Sequence, residues 1–434
     1  MKEHTPSKDG ICYYGGAGPL PTAQVIDVGR RGTRPLRLQR NSAQARGGPR
    51  IFAWCRTIRS FGVRNGVGRR IMNRELRIRQ VEIHLLEASL AAPFTCASSD
   101  LGRVRNLALR VALEGGASGW GEIAILPPIT VEDEAGARAA LEEEAGRLVG
   151  SSAGEWRRIA AGLLERRAVF GSVRAGIETA VLDALTRSLG VALFHFFGGS
   201  EDSLVTDITI PIGPAEAAAV LAARYREDGF STLKVKIGRE LGEDLARVQA
   251  IRRGHPHCRL ILDANAAYDV AQVFELLCEL RAAGIEPALL EQPVAREDWE
   301  GLGRLAREAG VPVAADESCR TPEDAVRIGR GGLAQVLNIK VAKSGVVQAL
   351  DIAAIARAFG LGLMIGGMVE TRLGMGFSAH FAAGLGGFDW VDLDTPLLLT
   401  DDPISGGYRS EGARYRLDGG TPGHGAALGA WGSP

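Results

Sequence analysis

Long apolar runs are missing from this chain: no stretch approaches the roughly 18–20 uninterrupted apolar residues of a membrane-spanning helix. Its start also lacks a charged segment followed by an apolar core and a small-residue cleavage site, the pattern of a secretory signal. Cysteine is scarce and scattered. Cys12, Cys55, Cys96, Cys258, Cys278 and Cys319 contain no Cys-x-x-Cys pair, which argues against zinc-ribbon and thiol-redox arrangements. Free thiols in a reducing compartment, and a cytoplasmic protein, are therefore the expectation. The body of the chain also has no basic stripe interleaved with aromatics, so neither nucleic acid nor a membrane is an expected partner.

What is present is ordinary globular material: 434 residues, 46% hydrophobic and 24% charged, enough for one large or two smaller domains. A formal net charge of zero hides an asymmetry. Residues 1–72 hold 12 Arg and 2 Lys against 3 acids, a net +11, which leaves −11 for the remainder. This first segment is rich in Gly and Arg, shows no sustained period, and is expected to be mostly disordered because it buries too little to offset its ordering entropy. Three readings are open for it. Upstream sequence placed before the true start is favoured, since Met72 precedes the first strand-like alternation. An organelle targeting peptide comes next, and a nucleic-acid arm last, given the acidic body.

From residue 74 to about 130 the chain alternates like a small antiparallel sheet, in "LRIRQVEIHLLEA", "NLALRVAL" and, after the turn "EGGASG", "WGEIAI". Helices follow to residue 199. In "VRAGIETAVLDALTRSL" the residues Val173, Ile177, Val181, Leu185 and Leu189 fall at four-residue steps and predict one apolar stripe, with Arg174 and Glu178 off it. Beyond residue 204, eight short aliphatic runs alternate with helix-length amphipathic segments. The runs are "LVTDITIPI", "TLKVKIG", "RLILDAN", "ALLEQP", "VPVAADES", "QVLNIK", "LGLMIGG" and "WVDLD". Such repetition predicts parallel strands covered by crossover helices, and eight units predict a closed β/α barrel.

The polar residues ending those runs keep a steady pitch: 27 residues from Lys236 to Asp263, then 28 to Glu291, 25 to Asp316, 24 to Lys340, 26 to Gly366 and 26 to Asp392. Each is expected at the C-terminal end of its strand, where β/α barrels build active sites. Asp263, Glu291 and Asp316 from three consecutive strands would repel one another unless a cation neutralised them, and all-oxygen donors favour Mg²⁺, one ion per site. Lys236 and Lys340, on the second and sixth strands, flank those acids and should face each other across the mouth. A metal-bound carboxylate substrate held between them would lose its α-proton to one lysine and regain it from the other through an enediolate. Lys234, two residues before Lys236 and on the same strand face, should assist electrostatically and lower its neighbour's pKa.

The ordered motifs "KVK", "DAN", "EQP", "DES" and "NIKVAKSG" resemble the enolase superfamily, specifically its muconate-lactonising subgroup, over nearly everything from residue 74 to 420. The resemblance implies a (β/α)₇β-type barrel, an α/β fold related to the TIM barrel, closed by an N-terminal α+β capping domain. The corresponding division is 1–72 for the basic extension, 73–200 for the capping domain, 201–400 for the catalytic barrel and 401–434 for a tail returning to the cap. It further implies Lys236 and Lys340 as the acid/base pair, Asp263, Glu291 and Asp316 as metal ligands, and Asn265 and Glu317 as residues supporting them. No His ends the seventh strand, where "LMIGGMVE" stands, which disfavours the His-based subgroups.

Asp392 and Asp394 in "DWVDLDTP" share a strand face and suit a cationic group on the substrate. This Asp-x-Asp resembles the dipeptide epimerases, where such a pair binds the free α-ammonium. The expectation is thus an isomerase: a Mg²⁺-dependent dipeptide epimerase acting on the C-terminal residue of an Ala-Glu-type or related dipeptide. An N-acylamino-acid racemase, a succinylbenzoate synthase or a muconate-type cycloisomerase are the alternatives of the same subgroup, and a non-enzymatic binding barrel is disfavoured because none of the five core residues is missing. Side-chain preference should depend on the capping loops "AAPFTCASSD" and "AILPPITVED"; Arg103 and Arg105 are better read as exposed than as partners of an acidic side chain. The family often forms closed homo-oligomers, and nothing in the sequence locates an interface.

Overall fold

The structure, a computed structural model, describes residues 74–97, 99–127, 130–166 and 170–429. The expectations for residues 1–72 lie outside the described residues. Among the described residues no helix is long and apolar enough to cross a membrane.

The chain opens with an antiparallel meander of β1 (Ile78–Thr95), β2 (Asp100–Leu113) and β3 (Ser118–Ile123). Its alternation is the expected one: Leu107, Leu109, Val111 and Leu113 are buried, while Arg110 on the other face pairs with Glu82 of β1 at 2.8 Å. Helices α1 (Glu134–Leu148), α2 (Trp156–Glu165) and α3 (Gly171–Ser188) follow. The backbone of β3 presses on α3 where Gly119 and Gly121 face Gly176, Ala180 and Ala184, and a Cβ at either glycine would strike the helix backbone.

The apolar stripe expected over Val173–Leu189 needs correction. Helix α3 is buried almost all round, Glu178 included, and Leu189, at its C-cap, lies half exposed. The cause is its position between the meander and the helices of the barrel, which leaves it no wet face; its small residues permit the close packing.

The eight parallel strands follow one another around a ring in chain order: β5 (Ile208–Ile210), β6 (Thr232–Lys236), β7 (Arg259–Asp263), β8 (Leu289–Glu291), β9 (Val313–Ala315), β10 (Val336–Ile339), β11 (Gly362–Gly366) and β12 (Trp390–Asp392). The ends of the ring meet where Asp207 N–H donates to Val391 O at 2.9 Å and Leu393 N–H to Thr206 Oγ1 at 3.0 Å. The first expected strand, "LVTDITIPI", divides in two. Only β5 joins the ring, while β4 (Ser203–Val205) pairs with the tail hairpin of β14 (Arg409–Glu411) and β15 (Arg414–Arg416).

Inside the ring the two-residue period stacks layers. Ile261, Leu289, Ala314, Val336, Met364 and Trp390 form an apolar floor. Two residues further along most of those strands come Asp263, Glu291, Asp316, Asn338 and Asp392, a polar layer toward the C-terminal mouth. After the ring, β13 (Ile404–Ser405) pairs with β16 (Ala427–Leu428), and Ile404 and Ala426 pack with Leu86 and Ala108 of the meander and Leu373 of the barrel. Arg187 of α3 donates to Ala426 O at 2.8 Å.

Candidate active site

Of the strand-end residues singled out in the sequence, Lys236, Asp316, Lys340 and Asp392 line one cavity at the C-terminal mouth, between the ring and the meander, while Asp263 and Glu291 are fully buried against Lys234 and do not line it. Lys234 is the deepest cation. Its Nζ lies 2.6 Å from Asp392 Oδ2, 3.0 Å from Glu291 Oε2 and 3.1 Å from Asp263 Oδ2. Lys236, two residues nearer the mouth, donates to Asp263 Oδ2 at 2.6 Å and to Asn265 Oδ1 at 3.2 Å, with the Phe94 ring 5.9 Å from its ammonium. From the far side Lys340 approaches Asp316 Oδ2 at 2.8 Å.

Burial works against the charged forms of Lys234 and Lys340, but the carboxylates beside them reverse the outcome. Lys234 is disfavoured by burial yet held well above its ordinary value by Asp392, Glu291 and Asp263. Lys340 is likewise held up, chiefly by Asp316 against its burial. The acids divide in the complementary way. Burial works against ionisation of Asp263 and Asp316, but the neighbouring lysines overrule it and keep both below the usual carboxylate range. Glu291 is pushed up to about 7 by burial and by Asp263, and Glu317 to about 7 by burial and by Asp316.

These four acids form a donor set of oxygens only, and Glu317 Oε2 is buried without a hydrogen-bond partner. Two of the four, Glu291 and Glu317, are raised first by burial and then by neighbouring carboxylates. The set fits a hard divalent cation. The oxygens of Asp263, Glu291 and Asp316 are interleaved with lysine heads; the tightest carboxylate trio among the described residues, with oxygens within 4.8 Å, is instead Asp207, Asp392 and Asp394. Asp394 accepts from Thr209 N–H at 2.5 Å and is raised to about 6 by burial and by Asp392. Asp207 is raised further by burial, Asp392 and Asp394.

Backbone shape explains two of the quoted motifs. In "DAN", Asn265 takes φ 43°, donates its N–H to Asp263 Oδ1 at 2.9 Å, and spans Lys236 and Glu317 with its amide. In "EQP", Gln292 takes φ 34° and its Oε1 accepts from Asp316 and Ser318 N–H, both at 3.0 Å, tying two loops of the mouth together. Two site residues escaped the sequence reading although both stand in the quoted "NIKVAKSG". Asn338 donates to Glu291 Oε1 at 2.8 Å, and Lys343 to Asp316 Oδ1 at 2.5 Å. Asn338 precedes Lys340 by two residues, as Lys234 precedes Lys236, and that spacing was the available signal.

The opposite wall comes from the meander and its loops, where Phe94, Cys96, Ser99 and Leu126 face the cavity beside Met368 and Val369 of the loop after β11. Arg103 and Arg105 turn outward, Arg105 pairing with Glu87 at 2.6 Å and Glu134 at 2.5 Å. Arg320 also lines the cavity.

Two family models match the chain: the mandelate racemase / muconate lactonizing enzyme N-terminal domain over residues 79–198, and the enolase C-terminal domain-like family over residues 216–430. An L-Ala-D/L-amino acid epimerase of Populus trichocarpa is 50% identical over 78% of this chain and 82% of its own length. An aromatic dipeptide epimerase of Herpetosiphon aurantiacus is 41% identical over 81% of this chain and 99% of its own. Among solved structures, the dipeptide epimerase of Enterococcus faecalis V583 complexed with Mg and the dipeptide L-Leu-L-Tyr superposes with a TM-score of 0.77, at 30% identity, covering 81% of this chain and 99% of that one.

Proposed function

The chain belongs to the mandelate racemase / muconate lactonizing enzyme family of the enolase superfamily and is an isomerase, and from that premise we propose that it epimerises dipeptides, inverting the α-carbon of their C-terminal residue. The observation that carries the reading is the pairing, in one cavity, of two lysines at separate strand ends with an acidic pair beyond them. Lys236 ends the second strand of the ring and Lys340 directly follows the sixth, so an α-carbon between them meets an ammonium or amine on each face. A neutral lysine on one face takes the α-proton and the ammonium on the other gives one of its own to the opposite face, which inverts the centre.

Asp392 and Asp394 suit the dipeptide's α-ammonium, because two buried carboxylates at the mouth favour a cation that an N-acylated substrate lacks. Asp263, Glu291 and Asp316 would hold Mg²⁺, with Asn265 and Glu317 in support; when bound, the ion supplies positive charge against the substrate carboxylate and acidifies the α-proton. Lys234 gathers Asp263, Glu291 and Asp392 around one ammonium, and Lys343 orients Asp316. Phe94 and Leu126 give the cavity an apolar wall. Because apolar residues and Arg320 share the lining, the substrates to test run from Ala-Glu to apolar dipeptides.

The test is α-proton exchange followed by NMR in D₂O with Mg²⁺, using L,L dipeptides beside N-succinyl amino acids, for wild type, Lys236→Ala and Asp392→Ala. Exchange confined to free-amine dipeptides is expected, abolished by the first substitution, by roughly 100-fold or more as for loss of a general base, strongly weakened by the second, and lost on chelation of the metal. Exchange on the succinylated set that ignores Asp392 would sink the dipeptide reading and favour the acylamino-acid racemase.

A further inference from the structure

Helix α3 places three residues at one-turn intervals against the segment that follows Lys340. Gly171 abuts the Lys343 carbonyl so closely that a Cβ would strike it. Arg174 Nη2 donates to Ser344 O and Gln348 Oε1, each at 3.3 Å. Glu178 Oε2 accepts from Val347 N–H at 2.9 Å. Val347 is the second residue of the helix Val346–Phe359, whose N-cap is Gly345, a residue with no side chain to satisfy the first amides. Gly345 has φ 78°, and a Cβ there would come within 2.7 Å of Glu178 Oε1. The glycine that ends "NIKVAKSG" therefore leaves room for a carboxyl group arriving from another part of the chain.

A related arrangement stands one strand later, at a helix whose N-cap Thr371 already accepts from Leu373 N–H at 3.3 Å. Glu122 of β3, buried, accepts from Thr371 N–H at 3.0 Å, Thr371 Oγ1 at 2.7 Å and Gly374 N–H at 2.9 Å, at the start of the helix Arg372–Leu385. Asn106 of β2 donates to Glu122 at 2.7 Å and to Val369 O at 3.0 Å, joining this contact to the cavity wall. Both side chains accept amide hydrogens at the start of a helix in a buried setting, where an unmade hydrogen bond is costly.

We propose that Glu178 and Glu122 are positioning residues: remote N-caps through which the N-terminal domain fixes the Lys340–Gly345 turn and the Gly367–Val369 wall. The turn matters because Lys340 and Lys343 both grip Asp316, at 2.8 and 2.5 Å, so a shift of the turn displaces both ammonium groups. The catalytic half of this inference rests on the assignment of Lys340 to proton transfer; the structural half does not.

Hydrogen–deuterium exchange by mass spectrometry, run on full-length wild type, Glu178→Ala, Glu178→Gln and Glu122→Gln beside the D₂O kinetics, tests both halves. Glu178→Ala should speed amide exchange in residues 341–348 by about tenfold while leaving β7 unchanged, and should lower kcat with KM unaltered. Glu178→Gln, which keeps an acceptor oxygen, should restore most of both. Glu122→Gln should place its acceleration in residues 367–375 instead. Unchanged exchange in those segments, a uniform acceleration over the whole chain, or a fall in kcat that tracks only the folded fraction would overturn the proposal. If wild type turns over no dipeptide, the dipeptide reading fails and the local amide exchange still decides the positioning role.

Discussion

Lys234 carries the heaviest electrostatic load of any single side chain in the site, with three carboxylates within 3.1 Å and almost no exposure. Removing one partner of a buried ion cluster leaves the others uncompensated, so Lys234→Met should cost about 3–5 kcal/mol of stability, read from urea denaturation. Glu178 offers a second measurement. Burial pushes its carboxyl up to about 7, although Val347 and Val346 N–H and Arg174 pull the other way. An unfolded glutamate titrates near 4.5, so between these values the folded protein keeps a proton the unfolded chain has lost. This group's stabilisation is full below 4.5 and is lost as pH rises through 7. Glu178→Gln should therefore gain on wild type in urea titrations as pH rises from 4.5 to 7, and the difference should level off above. The strand-end residues were legible because a strand period of two and a steady pitch of 24 to 28 residues expose them. Asn338 and Lys343 were not, since the amide of one carries no charge to mark it although it precedes Lys340 by two residues, and the other folds back from a helical turn.

Among the elements, α3 departs most from its sequence pattern, and the seam against β3 gives the reason. Gly119 and Gly121 bring strand and helix backbones together, so the helix sinks until even its polar residues are covered. Gly119→Ala should lower stability by about 1–3 kcal/mol through overpacking, visible as a fall in Tm, because the obstacle is helix backbone and cannot rotate away. No periodicity announces such a contact. Nor does one announce Glu178 on Val347 or Glu122 on Thr371, pairs separated by 169 and 249 residues. Repetition made the barrel readable, while the docking of the meander onto it depends on single long-range pairs that a linear pattern does not encode. The division of "LVTDITIPI" into β4 and β5 has the same origin: its first half is claimed by a hairpin more than 200 residues away.

At the scale of the whole molecule, the ring runs in chain order and its two ends are joined by Asp207 and Val391. Seven of the eight strands can associate with the strand made just before them, but the last junction must wait for nearly the entire barrel sequence. Lys234 and Asp392, 158 residues apart, meet only across that junction. Closing so long a loop is entropically slow relative to forming helices and neighbouring strand pairs. On dilution from denaturant, far-UV ellipticity should accordingly recover ahead of substrate turnover, and coincident recovery would contradict this order. The protein's time to competence is then set by one late seam, and a chain still being synthesised acquires helices and strands long before it acquires a reaction.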